Sequence, residues 1–230
     1  MDQFYTQKLT HEFQSLSYII QMMSIDTVKE FYDVNGEEFS RTRNAPWPIT
    51  REFIESLPPA IRVLDVGCGN GRNMFVRDDL VMTGLELSTT LCEIARERGA
   101  LVLHGSMTKI PFFENTFEVI MAVASYHHLS NEEDRQQTIN EFMRVLKPNG
   151  FVYIHVWAME QPERSKRRFT QRDEIVPWVN VDGRTFMRYY RIYKEGDLQE
   201  EIERLSTGKL VCVSMKYQEG NWIGLFQYMS

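Results

Sequence analysis

The chain is poor in the features that mark secreted, membrane-spanning or zinc-binding proteins. Only three of its 230 residues are cysteines, Cys68, Cys92 and Cys212, and no two of them have CxxC spacing. This argues against a disulfide framework or a zinc site and favours reduced thiols. No apolar run reaches membrane-spanning length, and the start, MDQFYTQKLTHEF, lacks the pattern of a signal peptide. We therefore expect a cytoplasmic protein, with the nucleus as a second compartment, without membrane contact or bound metal.

Positive charge is also scarce, because 26 lysines and arginines face 32 aspartates and glutamates, which gives a net charge of −6. This balance argues against a protein that binds nucleic acid over its whole surface, although a local basic patch can still do so. Such a patch occurs in residues 161–191, where eight basic residues outnumber four acidic ones. Its core, RSKRRFTQR, is interpreted as a phosphate-binding segment, with a solvated loop as the alternative.

From residue 61 onward, strand-like segments alternate with helix-like ones, and two further strand-like segments close the chain. Ser88 is placed to cap one of the helices, NGRNMFVRD is expected as a short helix, and the stretch after the fifth strand is expected to be irregular. The alternation predicts one three-layer α/β domain, residues 28–230, with a mostly parallel seven-stranded sheet and an antiparallel last strand. Residues 1–27 are predicted as an N-terminal helical extension. The strand-like segments are IRVLDVG, LVMTGLELS, ALVLHGS, FEVIMAVAS, GFVYIHVWA, KLVCVSMKYQ and NWIGLFQYM.

A glycine-rich turn, VLDVGCGNG, follows the first strand at residues 63–71. Glycines allow positive φ angles and close approach of a ligand, so the turn is either a dinucleotide fingerprint, another cofactor loop or simply a tight turn. Its spacing is GxGxG, and Asp65 before it suits an ammonium group better than a pyrophosphate. Glu86 ends the second strand, where a carboxylate can accept from both ribose hydroxyls. In these residues the chain resembles class I methyltransferases, which implies a Rossmann-like fold and S-adenosylmethionine as cofactor.

The same resemblance implies the cofactor contacts. Ser106 stands where such enzymes usually have an aspartate that bonds the adenine amino group, and a hydroxyl would make that bond more weakly. Met107 would cover the adenine ring or simply belong to the core. The implied contacts are Tyr32, Asp65, Gly67, Gly69, Asn70, Gly71, Glu86, Leu87, Ser106, Met107 and Ala122.

Five further motifs, in this order, narrow the resemblance: SRTRNAPWP, SYHHLS, HVWAMEQ, DEIVPWV and RYYRIYKEGDL. They are similar to those of the eukaryotic tRNA methyltransferases that finish 5-methoxycarbonylmethyluridine at the wobble position. Two departures are Asp197 in place of a usual glutamate and Tyr126 in place of an aliphatic residue. The resemblance begins near Val28 and implies methyl transfer to the carboxylate of 5-carboxymethyluridine.

Such a transfer depends on positioning more than on base catalysis, because the carboxylate is already ionised at pH 7. Arg43 would orient the carboxylate or close the pocket, with residues 40–48 as an extended lid; a surface salt bridge is the alternative. His127 and His128 would contact the uracil or carboxylate, or be core histidines. Trp157 would stack on the base or belong to the core. The implied substrate contacts are Glu160, Gln161, Arg167, Arg168, Trp178, Arg188 and Tyr189.

The family resemblance also implies partners. The substrate would be a tRNA anticodon stem-loop, and a small zinc-binding activator protein would pair with the third strand, at about residues 100–112. That strand is a predicted sheet edge without a charge to block pairing. Two alternatives stay open: a small-molecule methyltransferase of the quinone-biosynthesis type, and a non-catalytic methyltransferase-like subunit that binds RNA or protein.

Overall fold

A seven-stranded sheet lies at the centre of the computed structural model, which describes residues 25–230. Its strand order is β3-β2-β1-β4-β5-β9-β8, and a separate hairpin joins β6 to β7. The strands are β1 (Arg62–Val66), β2 (Val81–Glu86), β3 (Val102–His104), β4 (Phe117–Val123), β5 (Leu146–Trp157), β6 (Asp173–Val179), β7 (Thr185–Arg191), β8 (Leu210–Gln218) and β9 (Asn221–Tyr228).

Five α-helices accompany the sheet in the described part of the chain, and none of them is long and apolar enough to cross a membrane. The predicted helical extension over residues 1–27 lies almost entirely outside the described residues. The helices are α1 (Ile25–Arg41), α2 (Pro48–Ser56), α3 (Thr89–Glu97), α4 (Glu132–Val145) and α5 (Asp197–Leu205), with 3₁₀ turns at Arg72–Phe75 and Tyr126–His128.

The sheet has the predicted architecture. Strands β1 to β5 pair in parallel, whereas β9 is antiparallel to both β5 and β8. One face of the sheet packs on α4 and α5 through residues such as Phe142 and Ile202, and the other packs on α2 and α3 through Ile54 and Cys92. The strand order reverses between β1 and β4, so their carboxyl ends diverge and leave room for a ligand.

Local sequence explains where the helices begin. The hydroxyl of Ser88 accepts a hydrogen bond from the Leu91 amide at 3.2 Å, which confirms the predicted cap of α3. The side chain of Asn131 caps α4 in the same way, and three acidic residues in the first turn of α4 favour the positive end of the helix dipole.

Three local expectations differ from the structure. The stretch NGRNMFVRD forms only the 3₁₀ turn Arg72–Phe75, and the supposedly irregular stretch after β5 contains the β6–β7 hairpin. Residues 40–48 are not an extended lid throughout, because α1 continues to Arg41 and Pro48 is the first residue of α2. Proline is well tolerated at a first helical position, where its missing N–H is not needed.

Candidate active site

A cavity of about 180 Å³ opens at the carboxyl ends of β1 and β4. The glycine-rich turn and the end of β2 form one wall, and the 3₁₀ turn Tyr126–His128 together with β7 forms the opposite wall. Helix α1 and the segment after it cover the cavity, to which they contribute Tyr32, Phe39, Arg43 and Trp47. Many residues implied as cofactor or substrate contacts therefore meet around one space.

The glycine-rich turn has the backbone conformation that a close ligand contact needs. Gly67, Gly69 and Gly71 have φ angles of 69°, 58° and 74°, in the region that only glycine adopts readily. A Cβ atom at position 67 would lie 2.4 Å from the Cβ of Ser125, whereas one at position 69 would meet nothing within 4 Å. Gly67 is therefore required by packing, and Gly69 leaves open space for a ligand.

Glu86 is placed to hold a hydroxyl-bearing ligand beside this turn. Its side chain is 6% exposed, and its two carboxylate oxygens accept from the amides of Gly69 and Ser88, each at 2.8 Å. Each oxygen keeps a free lone pair, so the group can still accept from both ribose hydroxyls of S-adenosylmethionine. Burial raises the pKa of Glu86, which the two amide bonds partly offset.

Asp65 does not line the cavity, contrary to the predicted ammonium contact. Its side chain is fully buried, and its Oδ2 accepts from the Nδ2 of Asn73 at 3.0 Å. Burial raises the pKa of Asp65 to about 6. Asn73 lies in the cavity wall instead, and both Asp65 Oδ1 and Asn73 Oδ1 lack a hydrogen-bond partner. Asn73 is therefore the polar group through which Asp65 can act on an ammonium group.

Only some of the residues implied to contact the adenine end of the cofactor lie in the cavity wall. Leu87, Ser106 and Met107 line it, and Met107 also packs against the core, so both readings of that residue describe its position. Ser106 Oγ lies 2.8 Å from Thr108 Oγ1. Ala122 is fully buried and does not line the cavity, which is bounded there by Val123 and Ala124.

Asn70 connects the cofactor turn to the segment that follows α1. Its Nδ2 donates to Ser40 Oγ and to the carbonyl oxygen of Arg43, both at 2.9 Å. Trp47 anchors the same segment, with its ring 4.4 Å from that of His155 and 4.6 Å from the guanidinium carbon of Arg72. The segment is thereby fixed over the cavity mouth.

His127 and His128 both lie in the cavity wall. The Nδ1 of His128 donates to the Tyr189 carbonyl at 3.0 Å, so its Nε2 accepts from the Tyr32 hydroxyl at 3.1 Å. The Nδ1 of His127 accepts from the Trp157 amide at 3.2 Å, so its proton resides on Nε2. Burial lowers the pKa of His128 to about 4 and that of His127 well below its usual value. Both rings are therefore neutral near pH 7, and His127 offers an N–H donor.

Trp157 lines the cavity, but both of its faces are occupied. Its ring stacks on that of Tyr190 at 3.9 Å with an interplanar angle of 3°, and the Arg167 guanidinium lies 3.9 Å from its other face. A base cannot stack directly on Trp157 unless Arg167 moves. The stacking role assigned to Trp157 stays a prediction that requires this displacement.

Four arginines line the cavity. Arg72 directly follows the glycine-rich turn and packs on Trp47, and we call the other three, Arg43, Arg167 and Arg188, the arginine trio. Arg188 is only 9% exposed, its Nε has no hydrogen-bond partner, and its guanidinium lies over the rings of Phe31 and Tyr190. Among the side chains that the structure describes, no carboxylate lies within 4.0 Å of any member of the trio. Burial lowers the pKa of Arg43 and of Arg167. The cavity therefore carries positive charge that the described protein does not neutralise.

Five of the residues implied as substrate contacts do not line the cavity, and their substrate roles stay predictions. Glu160 accepts from the indole of Trp222, and Gln161 donates to two backbone carbonyls. Trp178 packs on Phe31, and the Tyr189 hydroxyl donates to Asp173. Arg168 donates to nearby backbone carbonyls.

Sequence reasoning missed several residues of the cavity wall, among them Arg72, Asn73 and Tyr190. Tyr190 was visible within the RYY motif, but only the structure shows that its ring backs Trp157. Asn73 carried no signal, because the asparagine lies in a stretch expected to be an ordinary helix. Within residues 25–230, no group of three or more His, Cys, Asp or Glu side chains is placed to hold a metal ion.

Comparison with protein families matches residues 64–154 to a methyltransferase domain. A tRNA (carboxymethyluridine(34)-5-O)-methyltransferase of Schizosaccharomyces pombe is 30% identical over 217 residues, which cover 85% of this chain and 93% of the relative. Relatives with the same description from Xenopus tropicalis and Arabidopsis thaliana are 29% and 39% identical, over 85% and 60% of this chain. The matched regions are only 40% and 34% of those two longer proteins.

Solved structures agree on the fold. A DhpI complex with S-adenosylhomocysteine superposes with a TM-score of 0.69 at 15% identity, over 90% of this chain and 98% of that one. A Burkholderia thailandensis 1,6-didemethyltoxoflavin-N1-methyltransferase, also bound to S-adenosylhomocysteine, gives a TM-score of 0.64 at 16% identity, over 89% and 88% of the two chains.

Proposed function

Since the chain belongs to the family of tRNA (carboxymethyluridine(34)-5-O)-methyltransferases, we propose that it methylates the carboxylate of 5-carboxymethyluridine at wobble position 34 of tRNA. The product is the 5-methoxycarbonylmethyl ester, and the methyl donor is S-adenosylmethionine. The donor supplies a methyl group on a positively charged sulfur. Glu86, the glycine-rich turn, Leu87 and Ser106 are the residues that would hold it.

The observation that carries this proposal is the arginine trio. A buried guanidinium is costly unless an anion compensates it, and the described carboxylates do not approach Arg188. A substrate carboxylate would supply that missing charge. Arginine suits the task because its planar N–H donors can hold a carboxylate in a fixed orientation.

The remaining groups explain why no protein base is required. The substrate carboxylate is ionised at pH 7, and the low pKa of His127 and His128 keeps both rings neutral. His127 can donate from Nε2 to a uracil or carboxylate oxygen, and the Tyr189 carbonyl keeps His128 in the tautomer that accepts from the Tyr32 hydroxyl. The arginines would hold one carboxylate oxygen while the other attacks the methyl carbon, so positioning supplies most of the rate gain.

The proposal also includes binding of the tRNA itself, which is supported by the positive charge of the basic patch. The patch at residues 161–191 begins beside the cavity, where Arg167 lies over Trp157. Lys166 and Arg168 are exposed, whereas Arg164 pairs with Glu219 and Arg172 with Asp197. We propose that Lys166 and Arg168 contact anticodon-loop phosphates.

The direct test is methyl transfer by the purified chain to tRNA that carries 5-carboxymethyluridine at position 34. We expect a mass gain of one methylene at that nucleoside, reversed by mild alkali because the product is an ester. A tRNA with the neutral carbamoylmethyl group at the same position is the matched control and should stay unmodified. Equal methylation of both tRNAs would overturn the proposal. So would methylation of neither tRNA when the small zinc-binding activator protein is also present.

The two alternatives give different results in the same assay. A methyltransferase of the quinone-biosynthesis type would bind S-adenosylmethionine but leave both tRNAs unchanged. A non-catalytic subunit would bind tRNA without measurable affinity for S-adenosylmethionine in calorimetry. The intact glycine-rich turn and Glu86 argue against the second alternative.

We also propose that a small zinc-binding activator adds a strand beside β3. Strand β3 is only three residues long and forms one edge of the sheet. A large apolar side chain, that of Leu101, directly precedes this strand and is 62% exposed. Co-expression with the activator should improve solubility, and a Val102→Pro change should abolish co-purification, because proline cannot donate a ladder hydrogen bond. If circular dichroism shows that this variant does not fold, Leu101→Lys replaces it as the variant that should block co-purification.

A further inference from the structure

A buried carboxylate outside the cavity connects the 3₁₀ turn Tyr126–His128 with β7. These are two elements of the wall opposite the glycine-rich turn, which we call the substrate wall. Glu201 of α5 is 5% exposed and does not line the cavity. Its Oε1 accepts from the hydroxyls of Tyr193 at 2.8 Å and Tyr126 at 3.3 Å. Its Oε2 lies 2.7 Å from a guanidinium nitrogen of Arg191 and 3.5 Å from the Nε of Arg135.

The partners of Glu201 flank residues of the cavity wall in the sequence. Tyr126 immediately precedes His127 and His128, and Arg191 immediately follows Tyr190. Arg135 donates to the carbonyl oxygen of Leu129 at 2.8 Å, and Leu129 immediately follows His128. The histidine pair is therefore tied to Glu201 on both sides.

These two elements of the substrate wall also meet directly, since His128 donates to the carbonyl of Tyr189. A shift of β7 relative to the 3₁₀ turn would change this bond and the position of Arg188 together. Glu201 opposes such a shift, because it contacts Tyr126 in the turn and Arg191 at the end of β7.

We infer that Glu201 is a positioning residue, which sets the geometry of the substrate wall through Tyr126, Arg135 and Arg191 without touching substrate or cofactor. No bond among the described residues joins Glu201 to the glycine-rich turn or the end of β2, which we call the cofactor wall, so we expect the larger effect on the substrate wall. The kinetic part of the inference rests on the proposed function.

The experiment compares Glu201→Gln with Glu141→Gln. Glu141 is also a buried carboxylate that accepts from an arginine, Arg144, and from a backbone amide, that of Ile110, but it is not bonded to the substrate wall. Glutamine keeps the shape and removes the charge. If Glu201→Gln does not fold, Tyr193→Phe removes one bond to the same carboxylate and keeps the charge.

We expect Glu201→Gln to raise the KM for tRNA by about tenfold, as misplacement of binding groups does. The Kd for S-adenosylhomocysteine should change less than about twofold. Glu141→Gln should lower the melting temperature and leave the KM for tRNA unchanged. The KM for tRNA could instead stay unchanged in Glu201→Gln and Tyr193→Phe, while only the melting temperature or the fraction of active protein falls. That result would show that the Glu201 carboxylate is merely structural.

A second measurement does not depend on the reaction. In ¹⁵N NMR of the free protein, the ring signals of His127 and His128 should shift in Glu201→Gln, and those of His104 and His155 should not. Shifted histidine signals together with no methylation of tRNA by the wild-type chain would overturn the proposed function but keep the positioning role. Unshifted signals would overturn the positioning role itself.

Discussion

The two walls of the cavity are built in opposite ways. The cofactor wall comes mainly from residues 67–91, with Ser106 and Met107 added after β3, and two of its backbone amides donate to a buried carboxylate, Glu86. The substrate wall gathers side chains from α1, the turn Tyr126–His128, the end of β5 and β7, and its charged members are arginines. One wall suits a cationic donor, and the other suits an anionic acceptor.

This difference shows which part of the reaction each wall controls. Backbone groups in a glycine-rich turn can serve any substrate that uses the same donor, and a structural neighbour that binds 1,6-didemethyltoxoflavin shares this fold at 16% identity. Specificity for a carboxylate must come from side chains on the other wall. Changes on the two walls should therefore affect different measurable quantities.

The largest effect is expected from Glu86→Ala on the cofactor wall. Each hydrogen bond to a charged group contributes about 1.5–3 kcal/mol, so loss of two ribose contacts should weaken S-adenosylmethionine binding at least about 100-fold. Calorimetry measures this Kd, and tRNA affinity in a filter-binding assay should stay constant. Glu93→Ala, an exposed carboxylate on α3, is the control. A comparable loss in both variants would contradict the assignment of Glu86.

Arg188→Met tests the substrate wall. The side chain keeps its apolar contacts but loses the charge, so kcat/KM for carboxymethyluridine tRNA should fall by about 10²-fold, equivalent to about 2.7 kcal/mol. The Kd for S-adenosylmethionine should not change. Arg184→Met, on the same hairpin but exposed, should cost no more than a few-fold. Retention of full activity in Arg188→Met would remove this arginine from the carboxylate site.

Asp65→Asn tests how a buried carboxyl group beside the cofactor wall affects the free energy of unfolding. Burial raises the folded-state pKa of Asp65 to about 6, above the unfolded value of about 3.9. The favourable contribution of the protonated group is complete below pH 4 and is lost as pH rises through 6. Urea unfolding should therefore give Asp65→Asn an advantage of about 1–3 kcal/mol at pH 8 that disappears near pH 4. A constant difference across this range would show that Asp65 does not titrate as described.

The smallest effect is expected from pH on the reaction itself. Burial lowers the pKa of His128 to about 4 and that of His127 well below its usual value, so neither ring gains a proton between pH 8 and 6. With saturating donor, kcat should change less than about twofold over this range. A clear step in kcat near pH 6.5 would instead indicate an ordinary histidine base and would weaken the division between the walls.

More of the cofactor wall than of the substrate wall could be predicted from the sequence. The alternation of strands and helices, the glycine-rich turn and the position of Glu86 at the end of a strand follow from local patterns, because strand ends of a parallel sheet meet at one edge. Asp65 was misplaced because the pattern does not show which way a buried carboxylate faces. Its true partner is Asn73.

The substrate wall depends on contacts between distant segments. Pro177 and the many charges near it hid the β6–β7 hairpin, although proline is acceptable on a strand without sheet neighbours on both sides. The stacking of Tyr190 and Arg167 on Trp157 brings together residues that the sequence alone could not pair. Arg43 reaches the cavity as predicted, but from a short connection between two helices.

The arginine trio also has a consequence for turnover. Methylation converts the carboxylate into an uncharged ester, so the attraction that draws the substrate in is absent once the reaction is complete. The finished nucleoside is then held mainly by its uracil contacts, while an unmodified carboxylate competes for the same guanidinium groups. A site with this charge therefore favours departure of its product and resists inhibition by it.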